Sequence, residues 1–377
     1  MNGFGFLVIA ALALQLLVKA YPTSLIAPSN YINYEEDPLF AMLRQKIERG
    51  EIDMESNFFM DKSRFQVHHD PEWPPEPLDI QPLGHISAVD TDLKGNPVIF
   101  HRAERSWSSH NKPPVIEGNT IAVLDKNSGK VLSTWGNNTF HVPHGLTIDH
   151  RGNVWVTDTG THQIFKFAPG STKPALVLGE KFISGTDSSH FCRPTDVAVA
   201  TNGYFFVSDG YCNKRVMKFD HDGKFVREYT HDMDVIHDLA LIEERDAICA
   251  ADRENGRVVC FQASLRPSEA GDSTDISNEP LAILPVSESL GAVFAISNLG
   301  PAIFAVRQPR VSNKEPPNGV VLSFDKGEII DTWQRDASEE NGSFLMNPHD
   351  VVVSKDGKTV YVAEIGPNRL SKFNIKH

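Results

Sequence analysis

Three histidines, each near the start of a short apolar run, could do chemistry together. They stand in Pro143-His144-Gly145-Leu146, Ile236-His237-Asp238-Leu239 and Pro348-His349-Asp350-Val351. If these runs are equivalent strands of a circular repeat, the three imidazoles meet on one axis. Three converging histidines with no fourth protein ligand describe a zinc centre with an open position for substrate. A single histidine in such a slot is more often a hydrogen-bonded core residue; convergence of three reverses that reading. No local metal spacing such as His-Glu-x-x-His supports it, so the repeat carries the argument.

The elements that must position them recur. A copy is an apolar strand, a turn, a second strand ending in an acid, a turn, and a third strand. The clearest copy runs Leu146-Thr147-Ile148-Asp149, Val154-Trp155-Val156-Thr157-Asp158, Ile164-Phe165-Lys166-Phe167. Others begin at Val197, Leu239 and Val351, and looser ones span 86–124 and 293–324, with insertions at 103–118 and 308–319. Short strands at a period of about 40–55 residues predict a β-propeller. Six copies predict an all-β, six-bladed ring. The last copy stops after its third strand, so an N-terminal strand must close it, and Arg64-Phe65-Gln66-Val67-His68 is the candidate. The residues read as opening the inner strands are His85, His144, Thr195, His237, Ala292 and His349. The turns after the second strands carry Arg102, Thr159, Tyr211, Arg253, Arg307 and Ile365.

The chain has 377 residues, 40% hydrophobic and 23% charged, within the range of globular proteins. Its formal charge of −13 and the lack of a basic stretch exclude a nucleic-acid footprint. Residues 1–20 read as a secretory signal cleaved near Ala20, and no other run is long enough for stable membrane insertion. Residues 21–63 read as an extension with a short amphipathic helix, and 64–377 as the propeller. A secreted or secretory-lumen location turns Cys192, Cys212, Cys249 and Cys260 into two disulfides, with three pairings allowed. Cys249 and Cys260 flank a hairpin turn and suit a cross-strand bridge, leaving Cys192 to Cys212 by elimination. Asn137 and Asn341 head glycosylation sequons.

Several stretches resemble the peptidyl-α-hydroxyglycine α-amidating lyases, over about residues 71–373. They are Val98-Ile99-Phe100-His101-Arg102, Val142-Pro143-His144-Gly145-Leu146, Ser208-Asp209-Gly210-Tyr211-Cys212-Asn213, Ala251-Asp252-Arg253-Glu254-Asn255-Gly256-Arg257 and Pro348-His349-Asp350. The resemblance implies a six-bladed propeller with zinc, a structural calcium and the same two disulfides. It implies cleavage of peptidyl-α-hydroxyglycine to a peptide amide and glyoxylate. Zinc would fall to His144, His237 and His349; calcium to the carbonyls of Val89 and Leu146 and the Asp350 carboxylate. Tyr211, Arg102 and Arg253 would be catalytic, the arginines binding the substrate carboxylate. His85 is no ligand in that pattern and is left as a contact to substrate or ligand; Arg307, on the equivalent turn of the fifth copy, is assigned no role by it. The family places Met directly before Pro-His, whereas here Asn347 separates Met346 from Pro348.

No oxygenase or copper-site segment is evident, so a separate peptidylglycine hydroxylase would have to supply the substrate. Two other readings compete: a calcium-dependent propeller hydrolase or lactonase, and a non-enzymatic secreted binding propeller. A carboxylate- and Asn-rich calcium site would favour the first, and metal content separates all three.

Overall fold

The computed structural model describes residues 65–74, 77–107, 112–265, 278–286, 291–309, 316–335 and 345–376. They all belong to one compact unit, Lys62–His377. The signal segment, the helical extension, Arg64 and Asn341 lie outside them. Among the described residues no helix is long and apolar enough to cross a membrane.

Six four-stranded antiparallel sheets form the blades of a propeller. Their inner strands are Ile86–Thr91, Pro143–Ile148, Asp196–Val199, Ile236–Ile242, Ala292–Leu299 and Pro348–Val353, for blades one to six. Each blade adds an outer strand that the three-strand copies did not contain, such as Pro174–Leu178, whose residues are largely exposed. Alternation fails there because the strand faces water on most sides. In blade six the outer strand comes from the start of the propeller. Gln66–His69 pairs antiparallel with Arg369–Lys376, and Val67 faces Ile375. Just before it, Phe65 packs edge-on against Phe304 of blade five at 5.6 Å. The ring therefore closes as the sequence predicts, with the last blade completed by a strand from the start of the propeller.

The cores lie between blades rather than within them. Phe100 and Ile121 of blade one pack with Val156 and Phe167 of blade two. Trp155 and Ile164 of blade two pack with Phe205 and Met217 of blade three. The same holds across the three–four, four–five and six–one junctions. Burying strand faces against the neighbouring blade fixes each inner strand relative to the next.

Hydrogen bonds from inner-strand side chains cross all six junctions. Asp90 accepts from the Ile148 N–H, Asp196 from Leu239, Asp238 from Ile296, and Asp350 from Val89, the last at 2.7 Å. Thr147 donates to the Val197 carbonyl, and Ser297 accepts from the Val353 N–H. These contacts satisfy backbone groups that the channel would otherwise leave unpaired.

In four blades the second strand closes on an acid, and that acid also has a job; the second strands of blades one and five end at His101 and Gln308 instead. Asp158 accepts from the N–H groups of His141 and Val142, Asp209 from Cys192, Asp252 from Asp234, and Glu364 from Met346. Each carboxylate ties down the loop entering its own inner strand. Arg215, Arg257 and Arg369 pair with three of these acids from the adjoining strand.

Candidate metal centre

A β-bulge sits at the mouth end of five inner strands. Pro143, Ile236, Val293, Pro348 and Ile86 pair with the second strand, and pairing resumes only beyond the next one or two residues. The residue just after each is thrown out of register: His144, His237, Phe294, His349 and Ser87. A bulge bends the strand and re-aims a side chain, which turns the three imidazoles into the channel.

This register corrects two of the sequence assignments. The slots of blades one and five belong to Ser87 and Phe294, two residues beyond His85 and Ala292. Both errors come from counting back along an apolar run whose bulge is invisible in sequence. Histidine therefore fills three slots, in alternate blades, with Ser87, Thr195 and Phe294 between them.

The three imidazoles do meet. Their ring centroids are 4.8, 4.9 and 4.7 Å apart, and a nitrogen from each falls within 4.8 Å of the others. Each ring is aimed by the next blade. Nδ1 of His144 is 2.8 Å from the Thr195 carbonyl, that of His237 2.6 Å from Phe294, and that of His349 2.8 Å from Ser87. Nδ1 must donate to these carbonyls, so Nε2 carries the lone pair and faces the axis. Burial, joined by neighbouring cationic groups, holds all three far below the ordinary histidine value, His349 down to about 3. Neutral imidazoles with a fixed tautomer and converging lone pairs fit a zinc ion.

Tyr211 reaches the same point from blade three. Its phenol oxygen is 2.9 Å from Nε2 of His144 and 3.2 Å from Nε2 of His237. The following residue is bridged, Cys192 to Cys212, which fixes the turn; Cys249 bridges Cys260 across the hairpin. Burial raises the Tyr211 pKa, while Arg253 and Arg102 pull it the other way.

Arg102 is 1% exposed. Its Nε donates to the Pro143 carbonyl and Nη1 lies 3.5 Å from Nδ1 of His85, but Nη2 is buried with no partner. A buried guanidinium with an unpaired N–H is costly unless an anion fills the place. Arg253 lies over the Tyr211 ring at 5.6 Å and also pairs with Glu254 at 2.7 Å. His85 touches Arg102 rather than the triad. Arg307 donates to Asn318 and to the Val286 carbonyl, and Met346 is exposed.

Behind the triad lie the carboxylates of Asp196, Asp238 and Asp350, lining the same cavity. Burial, then mutual repulsion, raises Asp238 and Asp350 well above the usual carboxylate range. Such a cluster of hard oxygen donors fits a calcium ion. Of the expected calcium residues, Asp350 is in this cluster, Val89 donates its N–H to it, and Leu146 follows Gly145 of the cavity wall. The sequence reading had not singled out Asp196 or Asp238, though each follows a slot residue as Asp350 does.

The NHL repeat family matches residues 140–167 and 191–219, the first three strands of blades two and three. The chain is 41% identical over 307 residues to peptidyl-alpha-hydroxyglycine alpha-amidating lyase 2 of Drosophila melanogaster, covering 78% of this chain and 71% of that one. It belongs to the peptidyl-α-hydroxyglycine α-amidating lyase family. A Caenorhabditis elegans protein named as a probable lyase of this kind is 35% identical, with 78% of this chain and 83% of that one aligned. The rat peptidylglycine alpha-amidating monooxygenase is 39% identical over 82% of this chain, but this chain spans only 32% of its length. As a member of the lyase family the chain is an enzyme, and the His144–His237–His349 cluster with Tyr211 is where its chemistry would be housed.

Proposed function

We propose that this protein cleaves peptidyl-α-hydroxyglycine to a C-terminally amidated peptide and glyoxylate, with zinc held by His144, His237 and His349. The observation that carries the reading is the placement of the Tyr211 phenol against the converging imidazoles, with the unpaired N–H of buried Arg102 in the same mouth.

The reaction moves one proton and breaks one bond. The hydroxyl on the α-carbon loses its proton and becomes the aldehyde oxygen of glyoxylate. The carbon–nitrogen bond breaks, and its electrons and a proton go to nitrogen as the free amide. No redox partner is needed. Tyr211 is placed to take the hydroxyl proton and return one to nitrogen. Burial alone keeps its phenol protonated, and the nearby arginines only partly offset this. Zinc, when bound, would supply fixed positive charge that polarises substrate oxygen and favours the phenolate. Arg102 offers Nη2 to the substrate carboxylate, and Arg253 adds positive charge above the phenol.

Calcium at Asp350, with Asp196 and Asp238 beside it, would relieve the buried negative charge and hold the strand that carries His349. Passage through an oxidising secretory lumen is part of the proposal and agrees with the two disulfides. Asn137 is exposed and open to glycosylation. A hydroxylase on another chain would supply the substrate.

The test is mass spectrometry of a synthetic α-hydroxyglycine-extended peptide incubated with zinc-loaded protein at a pH where the spontaneous reaction is slow. Equimolar amide and glyoxylate, suppressed by chelator and restored by zinc, support the proposal. Rates no higher than the protein-free control would overturn it.

A further inference from the structure

Trp107 is the one large aromatic side chain exposed among the described residues, at 40%. It follows Arg102 by five positions, in the insertion after the second strand of blade one. Its ring lies 5.2 Å from that of Tyr211 and 6.4 Å from that of His144. The guanidinium of Arg102 lies 5.1 Å from its centroid and that of Arg193 5.9 Å. Arg193 is itself fixed: it follows bridged Cys192, takes a left-handed backbone with φ of 59°, and donates its N–H to Nδ1 of His162. The indole is thus held on several sides and still open to water at the mouth.

We propose that Trp107 is a specificity-determining wall that packs against the side chain of the substrate residue preceding hydroxyglycine, the residue that will bear the amide, and favours an apolar or aromatic one there. The inference rests on the lyase reading above. With hydroxyglycine at the Tyr211 oxygen and its carboxylate toward Arg102, the peptide must leave through the open mouth. Consecutive Cα atoms are about 3.8 Å apart. The preceding side chain therefore comes within reach of a ring 5.2 Å from Tyr211. An indole edged by two guanidinium groups offers a broad apolar face that needs no rearrangement to accept it.

The experiment compares kcat and KM for two substrates that differ only in that residue, Phe-hydroxyglycine and Gly-hydroxyglycine peptides, in zinc-loaded wild type, Trp107→Ala and Trp107→Phe. The wild type should favour the Phe substrate by about tenfold in kcat/KM, mainly through KM, the scale of one apolar contact in a substrate pocket. In Trp107→Ala the ratio should fall toward one as KM for the Phe substrate rises. Trp107→Phe should restore most of the preference, which a merely disrupted loop would not. A wild type without preference, or an Ala variant that keeps it, overturns the proposal alone. A wild type that turns over neither peptide overturns the lyase reading, and this inference with it.

Discussion

The phenol oxygen of Tyr211 lies 2.9 Å from Nε2 of His144, so the proposed acid–base group and a proposed zinc ligand share one contact. Removing that oxygen should leave the ligands in place. Tyr211→Phe is expected to lower kcat by about 10²–10⁴-fold with zinc content unchanged. Substantial turnover in the zinc-replete Phe variant would remove Tyr211 from the chemistry.

Gly145 stands where the chain after His144 passes blade three. A Cβ there would lie 2.4 Å from the Thr195 carbonyl oxygen, which also receives the His144 Nδ1 proton, and 2.8 Å from Asp196 Oδ1. Gly145→Ala should cost about 1–3 kcal/mol of stability, the usual penalty of overpacking. It should also weaken zinc binding by mis-aiming His144. Thermal melts with and without zinc check both effects; a variant with wild-type melting and affinity would show that the strand can yield.

The two disulfides should separate by readout. Loss of either costs about 2–4 kcal/mol. Cys249 and Cys260 are fully buried on a hairpin away from the described triad contacts, so their double Ala variant should keep kcat/KM wherever it is folded. Cys192–Cys212 fixes the residues beside both Arg193 and Tyr211. Its double Ala variant should lose at least about tenfold in kcat/KM while folded, because a misplacement of one ångström in a positioned group can cost about 10²-fold and a partial shift a fraction of that. Equal activity losses in the two variants would contradict this division.

His349 gives the metal-free protein a pH signature. Its folded pKa is pushed down to about 3, first by burial and then by Arg102, against about 6.5 unfolded. The unfolded chain therefore binds the extra proton between those values. The associated stability is present above pH 6.5 and is lost as pH falls toward 3. His349→Asn removes that loss. Relative to wild type, the metal-free variant should gain about 1 kcal/mol for each pH unit lowered below 6.5. Urea melts at pH 6.5, 5.5 and 4.5 measure the slope; a constant difference would mean that the ring is solvated.

Much of this was legible in the sequence because the repeat is local. Apolar strands, turn residues and terminal acids recur, and the short last copy announces Gln66–His69 as the closing strand. The alternating histidines were legible for the same reason. The errors at His85 and Ala292 arose where position depends on a bulge, a pairing between strands that composition does not encode. Asp196 and Asp238 were missed because a carboxylate after a slot gains meaning only when neighbouring blades converge. Trp107 was missed because it sits in an insertion outside the repeat, where no period says which way a side chain faces.

The central claim is that one ion binds the three imidazoles. Zinc titration of the metal-free protein by calorimetry, paired with metal content by mass spectrometry, addresses it most directly. The account predicts one tightly bound zinc per chain, with affinity sharply reduced in each of His144→Ala, His237→Ala and His349→Ala and unaltered in His85→Ala. A wild type that binds no zinc, or triad variants that bind it as tightly as wild type, would contradict the account.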